Sequence, residues 1–247
     1  ATYNRDPRAA PQCAVGAMEP PLLRELNLAQ IADEIDAPYR LVPLVSLGGI
    51  EMAVFICEGP KTWHRVAEHD EALLVLEGVI TLEGKGGKTV VEEGEMARIP
   101  AKVGLNYFSG MRSTVILTQE QAGASWGSNG YHAPSEEDHS IGKRNYAGEV
   151  RQAPLFHWER LGVTGGYALS ASRLQGDSRP YRVPPGSVVA LVYRGVLDYV
   201  GPTSTGSIVG SQILVMPGDT TVVLRSERGA TVVVLARKGA PLPGPAS

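Results

Sequence analysis

The 247-residue chain holds only two cysteines, few aromatics (6%), no long apolar run and no marked excess of either charge. Each shortage removes a class of protein. Cys13 and Cys57 are too few and too far apart to form a disulfide scaffold, so a reducing, cytoplasmic setting is expected. The longest apolar stretches are Ala72–Leu76, Ser187–Tyr193 and Ala230–Ala236, well short of the roughly 20 residues that span a bilayer, and no membrane partner is expected. The opening residues Ala1–Gln12 are polar and contain proline, unlike a secretory leader. Lys and Arg number 23 against 26 Asp and Glu, giving a net charge of −3 with no basic stripe, so no nucleic-acid partner is expected.

The chain is instead rich in short Val/Ile/Leu runs separated by turn residues. Ile50–Cys57, Ala72–Leu76, Thr114–Thr118, Val188–Tyr193, Ile213–Met216 and Thr231–Leu235 are each bounded by Gly, Pro or charge. That pattern predicts an all-β chain. Gly84–Gly87, between Leu82 and Val90, reads as a hairpin turn, since it lacks phosphate-loop spacing and no helix follows. One segment differs. Leu22–Asp36 places Leu23, Leu26, Ala29 and Ile31 near helical spacing between Pro20-Pro21 and Pro38, and predicts a short helix in an N-terminal arm, residues 1–38.

The sequence also repeats itself at an offset of 117. Gly78 matches Gly195, Pro100 matches Pro217, Gly48-Gly49 matches Gly165-Gly166 and Gly84 matches Gly201. Thr114–Leu117 matches Thr231–Val234, and no gap is needed from Gly48 to Leu117. Two copies of one β-domain are expected, at 39–121 and 156–238. Between them 122–155 is rich in Gly, Ser and charge and reads as a connector or lid, with His132 and His139 solvated in it. Residues 239–247, with three prolines, read as a loose tail.

Trp63–Gly78 reads Trp-His-Arg-Val-Ala-Glu-His-Asp-Glu-Ala-Leu-Leu-Val-Leu-Glu-Gly, and Gly94 through Pro100 follow at a set distance. In these segments the sequence resembles the cupin superfamily, and two copies imply a bicupin of tandem jelly-roll barrels. The family's first motif carries two alternating histidines, then a glutamate, then a glycine seven residues on; its second carries a histidine five residues past a proline. His64, Glu71 and Gly78 match. Val66 and Leu105 stand where the other two histidines belong, and the second copy places Tyr181, Val183, Val188 and Val222 at the four ligand positions.

Residues two apart on a strand share a face, so position 66 shares the face of His64, and His69, Leu73 and Val75 share that of Glu71. The resemblance implies one divalent ion (Fe, Mn, Ni or Zn) on His64 and Glu71, and strand parity alone offers His69 as a third ligand in a displaced site. It implies a cupin-type enzyme, a dioxygenase, isomerase or lyase, acting on a small molecule in the first barrel. The substrate pocket is expected from Val66, Leu73, Val75, Leu105 and Tyr107. The alternative is a barrel without metal, either a binding module or an acid/base catalyst built on His64 and Glu71. The second copy is apolar on both strand faces, as in Val188, Ala190 and Val192 against Val189, Leu191 and Tyr193. One face must be covered by the sister domain or by another subunit, which makes a homodimer an expectation.

Overall fold

The computed structural model describes residues 22–65, 69–84, 86–120 and 141–246, with the backbone course alone for 61–65. The first half runs β1 (Arg24–Asn27), α1 (Leu28–Asp33), β2 (Val42–Leu47), β3 (Ile50–Arg65), β4 (Glu71–Glu77), β5 (Val79–Gly84), β6 (Gly87–Glu92), β7 (Met96–Ile99) and β8 (Gly104–Glu120). The second runs β9 (Gly142–Arg144), α2 (Tyr146–Gln152), β10 (Glu159–Thr164), β11 (Tyr167–Asp177), β12 (Tyr181–Arg182), β13 (Val188–Val200), β14 (Thr205–Val209), β15 (Gln212–Met216) and β16 (Thr221–Arg237). These strands form two eight-stranded sheets, and the ladders among the described residues are antiparallel. The fold is all-β, as the short β-branched runs predict.

The two halves correspond strand by strand. β2 and β10 begin at Val42 and Glu159, and β8 and β16 begin at Gly104 and Thr221, both pairs 117 residues apart. β13 covers in one strand the positions that β4 and β5 cover in two.

Each half also opens with a strand and a short helix, and each opening strand joins the sheet of the other half. β1 pairs with β15 of the second sheet, and β9 pairs with β7 of the first. The registers agree: Leu26 lies opposite Ile213, and its counterpart Arg144 lies opposite Met96. Both helices are capped alike. The side chain of Asn27 accepts from the Gln30 amide at 3.1 Å, and that of Asn145 accepts from the Gly148 amide at 2.7 Å. An asparagine oxygen satisfies one of the amides that a helix start leaves unbonded, which fixes where each helix begins. The segment expected as helix over Leu22–Asp36 therefore divides, with residues 24–27 taken by the sister sheet and the helix confined to 28–33. Likewise β9 and α2 lie in the segment expected as connector, so its C-terminal end is built structure. Of that connector, 122–140, with His132 and His139, lies outside the described residues.

The strand faces are apolar for a reason visible in three buried clusters. Leu73 and Val75 point into the first barrel with Leu105, Tyr107 and Leu117. Val188, Ala190 and Val192 fill the second barrel with Leu214, Val222 and Leu224. The alternate residues Ala72, Leu74 and Leu76 meet Val189, Leu191 and Tyr193 in a third cluster that lies between the barrels. Period-two alternation thus sends one face inward and the other against the sister barrel. The apolar faces behind the homodimer expectation are covered within a single chain.

The C-terminal segment is pinned, contrary to the loose tail expected. The Trp158 indole donates to the Pro243 carbonyl at 2.7 Å and the Tyr181 hydroxyl to that of Pro241 at 3.1 Å. Backbone bonds from Arg179 to Gly244 and from Ala246 to Asp177 hold it further, and Ala240 and Leu242 pack on the second barrel's core. Among the described residues no helix is long and apolar enough to cross a membrane.

Because one buried layer serves both barrels, they should unfold together. Leu191→Ala, at a side chain 2% exposed in that layer, is expected to cost about 2–5 kcal/mol. Calorimetry should show the melting temperature falling while both barrels still unfold in one transition.

Candidate functional site in the first barrel

Glu71 begins β4, and its register partner is Ile99 of β7. Two local devices hold it in place. Asp70, the residue before it, accepts from the Ala101 amide and the Arg98 Nε, both at 2.9 Å, and so ties the start of β4 to the turn at Pro100. Gly78, seven residues after Glu71, ends the strand with φ +84°, and a Cβ there would fall 2.3 Å from Ser113 Oγ. Its counterpart Gly195 has φ +92°, and a Cβ would meet the Gly229 carbonyl oxygen at 2.2 Å. Only glycine fits either place. The motif's glycine therefore serves the chain's bend, while Asp70 links the two motif segments.

Glu71 is 5% exposed, on the same strand face as Leu73 and Val75. Burying a carboxylate is costly, so such groups are few and their surroundings informative. Among the described residues the buried carboxylates are Glu71 and Glu95. Glu95 accepts from the Glu92 amide at 2.8 Å, and Lys143 Nζ lies 2.6 Å away. Glu71 acts on Tyr107, which lies in the barrel's apolar cluster. Burial pushes the Tyr107 hydroxyl well above its ordinary range, and the charge of Glu71 pushes it further, followed by Cys57 and Tyr39. Tyr107 is thus a neutral phenol beside a carboxylate.

Cys57 and Tyr39 extend this group. The Cys57 thiol, fully buried as expected of an inert structural cysteine, donates to the Tyr39 hydroxyl at 3.4 Å. Tyr39 donates in turn to the Gly59 carbonyl. Burial, then the Cys57 hydrogen bond, raises the Tyr39 hydroxyl as well. Phe55 lies between the two tyrosines, its ring centroid 6.3 Å from each. Three of the chain's few aromatics therefore gather in one barrel. Sequence reasoning missed Tyr39. It stands just after Pro38 with φ +63° at the edge of the arm, and no strand periodicity marks it.

The other expected site residues fall out as follows. Leu73, Val75, Leu105 and Tyr107 all line the first barrel. His64 lies opposite Leu105 in the β3–β8 ladder, and its side chain is outside the described residues, as is Val66. His64 and Glu71 sit on β3 and β4, with β8 between them in the sheet. His69 is brought to Glu120, with Nδ1 3.0 Å from Oε2. β4 starts only at Glu71, so the alternation that would aim His69 inward does not reach it. Glu120 shares the outward face of Ile116, and its side chain lies against Gly165 of the second barrel.

A metal centre of the kind the resemblance implies would draw on the positions of His64, Val66, Glu71 and Leu105. Leu105 is fully buried and apolar, valine offers no donor, and His69 is turned to Glu120. Among the described residues no three His, Cys, Asp or Glu groups gather closely enough to hold an ion. Of the four positions, His64 and Glu71 carry donor side chains, short of the three protein ligands usual in catalytic centres. Among the described residues the donors present do not make up a metal site.

The second barrel offers nothing comparable. Val188 stands at the place of Glu71, Tyr181 at that of His64 and Val222 at that of Leu105, all buried. Burial raises the Tyr181 hydroxyl to about 12.

No family model and no curated protein matches the sequence. Solved structures do match it. A cupin 2 conserved barrel domain protein from Leptotrichia buccalis superposes with a TM-score of 0.67 at 10% identity, over 87% of this chain and 96% of that one. Salicylate 1,2-dioxygenase from Pseudaminobacter salicylatoxidans gives 0.70 at 11% identity, over 94% and 88%. A variant of that enzyme in complex with gentisate gives 0.65 at 14% identity, over 88% and 82%. The fold is the cupin fold in tandem.

A buried neutral phenol has a measurable signature. Exposed tyrosines ionise near pH 10.0, so above that point the unfolded chain releases protons that folded Tyr107 retains. The stability this carries is complete below about pH 10 and is lost as pH rises further. Thermal melts through the alkaline range should show that fall, and Tyr107→Phe should make it shallower while leaving neutral-pH stability close to wild type.

Proposed function

We propose that the first barrel binds a small, uncharged organic molecule and acts on it, where it acts, by proton transfer without a metal. The observation that carries this reading is the pairing of one buried carboxylate, Glu71, with a phenol held neutral, Tyr107, in an otherwise apolar enclosure. Ligand sites are commonly of this kind, a mostly apolar cavity with a few convergent polar groups. Glu71 accepts a proton or a hydrogen bond from the ligand, and Tyr107 offers a donor to an oxygen of the same molecule. His64, on β3 across β8 from Glu71, is the second titratable group this reading would draw on. A carboxylate ligand is disfavoured, because it would meet the charge of Glu71 in an apolar interior of low dielectric. The second barrel, filled by its own side chains, is a scaffold.

A second reading is favoured by the retention of both His64 and Glu71 at ligand positions, and by the likeness to a dioxygenase. In that reading the barrel is a metal-dependent cupin oxygenase, with residues beyond those described completing the coordination shell.

Metal analysis separates the two. Protein purified without chelator or nickel resin is expected to carry only substoichiometric metal, unchanged in His64→Ala, and to give no saturable heat when titrated with gentisate. Stoichiometric metal that is lost in His64→Ala would overturn the metal-free reading.

A further inference from the structure

The two halves are related closely enough that the two ends of the layer between the barrels can be compared position by position. They differ. At one end Tyr146 of α2 packs edge-on against Tyr193 of β13, with ring centroids 5.3 Å apart at 77°. The Tyr193 hydroxyl donates to Glu93 Oε1 at 3.1 Å, Arg194 Nη2 donates to the same oxygen at 2.8 Å, and the Arg194 guanidinium lies 5.1 Å from the Tyr193 ring centroid. Two phenol rings, one carboxylate and one guanidinium therefore close this end.

At the other end the counterparts of Tyr146 and Tyr193, 118 and 117 residues earlier, are Leu28 and Leu76. Both are buried, and between them lies a cavity of about 200 Å³. Ala32 of α1 lines it beside them, and Ser211 reaches it from the second barrel. Its outer rim carries Asp33, Glu77 and Arg112, all exposed. The Arg112 guanidinium is held at this rim by the carbonyls of Ala32, at 2.6 Å, and Ile35, at 3.2 Å. Position by position this end has Glu77 in place of Arg194 and Gly210 in place of Glu93, so its carboxylate and guanidinium come from other positions, and it lacks both rings.

We propose that this cavity is a binding site for a small phenol, which would occupy the space that a tyrosine ring fills at the related end. The volume suits it, since a cavity of about 150 Å³ walled by aliphatic side chains takes up benzene. The hydroxyl donates to Glu77 at the rim and the anchored Arg112 lies beside the ring, the same two kinds of group that Tyr193 meets in Glu93 and Arg194, here supplied from different positions. The site is separate from the first barrel's interior: Leu76 faces the sister barrel, while its neighbour Val75 faces inward.

The probe is 4-fluorophenol, titrated into the full chain and followed by fluorine NMR. Wild type is expected to show saturable binding of one equivalent. Leu76→Tyr, which supplies the missing ring from within, should abolish that binding and raise the melting temperature. If that variant does not fold, Ala32→Leu fills the same space from the helix and should also abolish it. Glu77→Gln should weaken 4-fluorophenol on the order of tenfold while leaving fluorobenzene unchanged. Absence of saturable binding to wild type overturns the proposal, and so does binding that survives a folded cavity-filling variant.

Discussion

A strand that is apolar on both faces has to be covered twice, and that requirement organises the molecule. Leu73 and Val75 cannot line a barrel unless Ala72, Leu74 and Leu76 are also removed from water, and the same holds for Val188–Tyr193. Each barrel is the cover for the other. The exchanged opening strands strengthen the arrangement, since β1 and β9 extend the sister sheets by backbone hydrogen bonds and carry α1 and α2 onto the shared layer. Tyr146 and Val150 of α2, and Leu28 and Ala32 of α1, are buried in it. Neither half is complete alone.

Within that frame the two barrel interiors have diverged in chemistry while keeping one backbone. The second is closed by Tyr181, Val183, Val188 and Val222, and the Pro241 and Pro243 carbonyls take the outward-turned Tyr181 and Trp158 donors. The first keeps a carboxylate and gathers three aromatics around it. Leu105 shows how this alters the chemistry: a fully buried aliphatic side chain where a ligand histidine would stand removes a donor and makes the enclosure drier. Burial first, and then the charge of Glu71 acting in a drier enclosure, holds Tyr107 neutral.

The 117-residue register was legible because glycines mark the bends, and Gly78 and Gly195 occupy places that no other residue fits. The paired arms were not legible. Their offset is 118, and little beyond an Asn-x-Ala triplet (Asn27-Leu28-Ala29 and Asn145-Tyr146-Ala147) is shared between them. What they have in common is a cap and a ladder, which backbone groups provide. Composition misread the tail for a related reason: prolines lack donors, yet their carbonyls accept freely, and Pro241 and Pro243 are used in that way. His69 was misplaced by extending strand parity past the end of the strand. Leu73, Val75, Leu105 and Tyr107 lie in the first barrel's buried cluster, and their inward parity was readable because it falls wholly within regular strands. Nothing in the sequence showed that Tyr39 would gather with Cys57 and Phe55 near Tyr107, since that placement is set by how the arm returns to the barrel.

The account rests on Glu71 lying inside the first barrel, shielded from water. Carbodiimide labelling of carboxyl groups in the native protein, read residue by residue by mass spectrometry, tests this most directly, because Glu77 on the same strand is exposed and serves as the internal reference. Glu71 should stay unlabelled while Glu77 reacts, and should become reactive only on unfolding. Labelling of Glu71 at the rate of Glu77 in the folded chain would contradict the account.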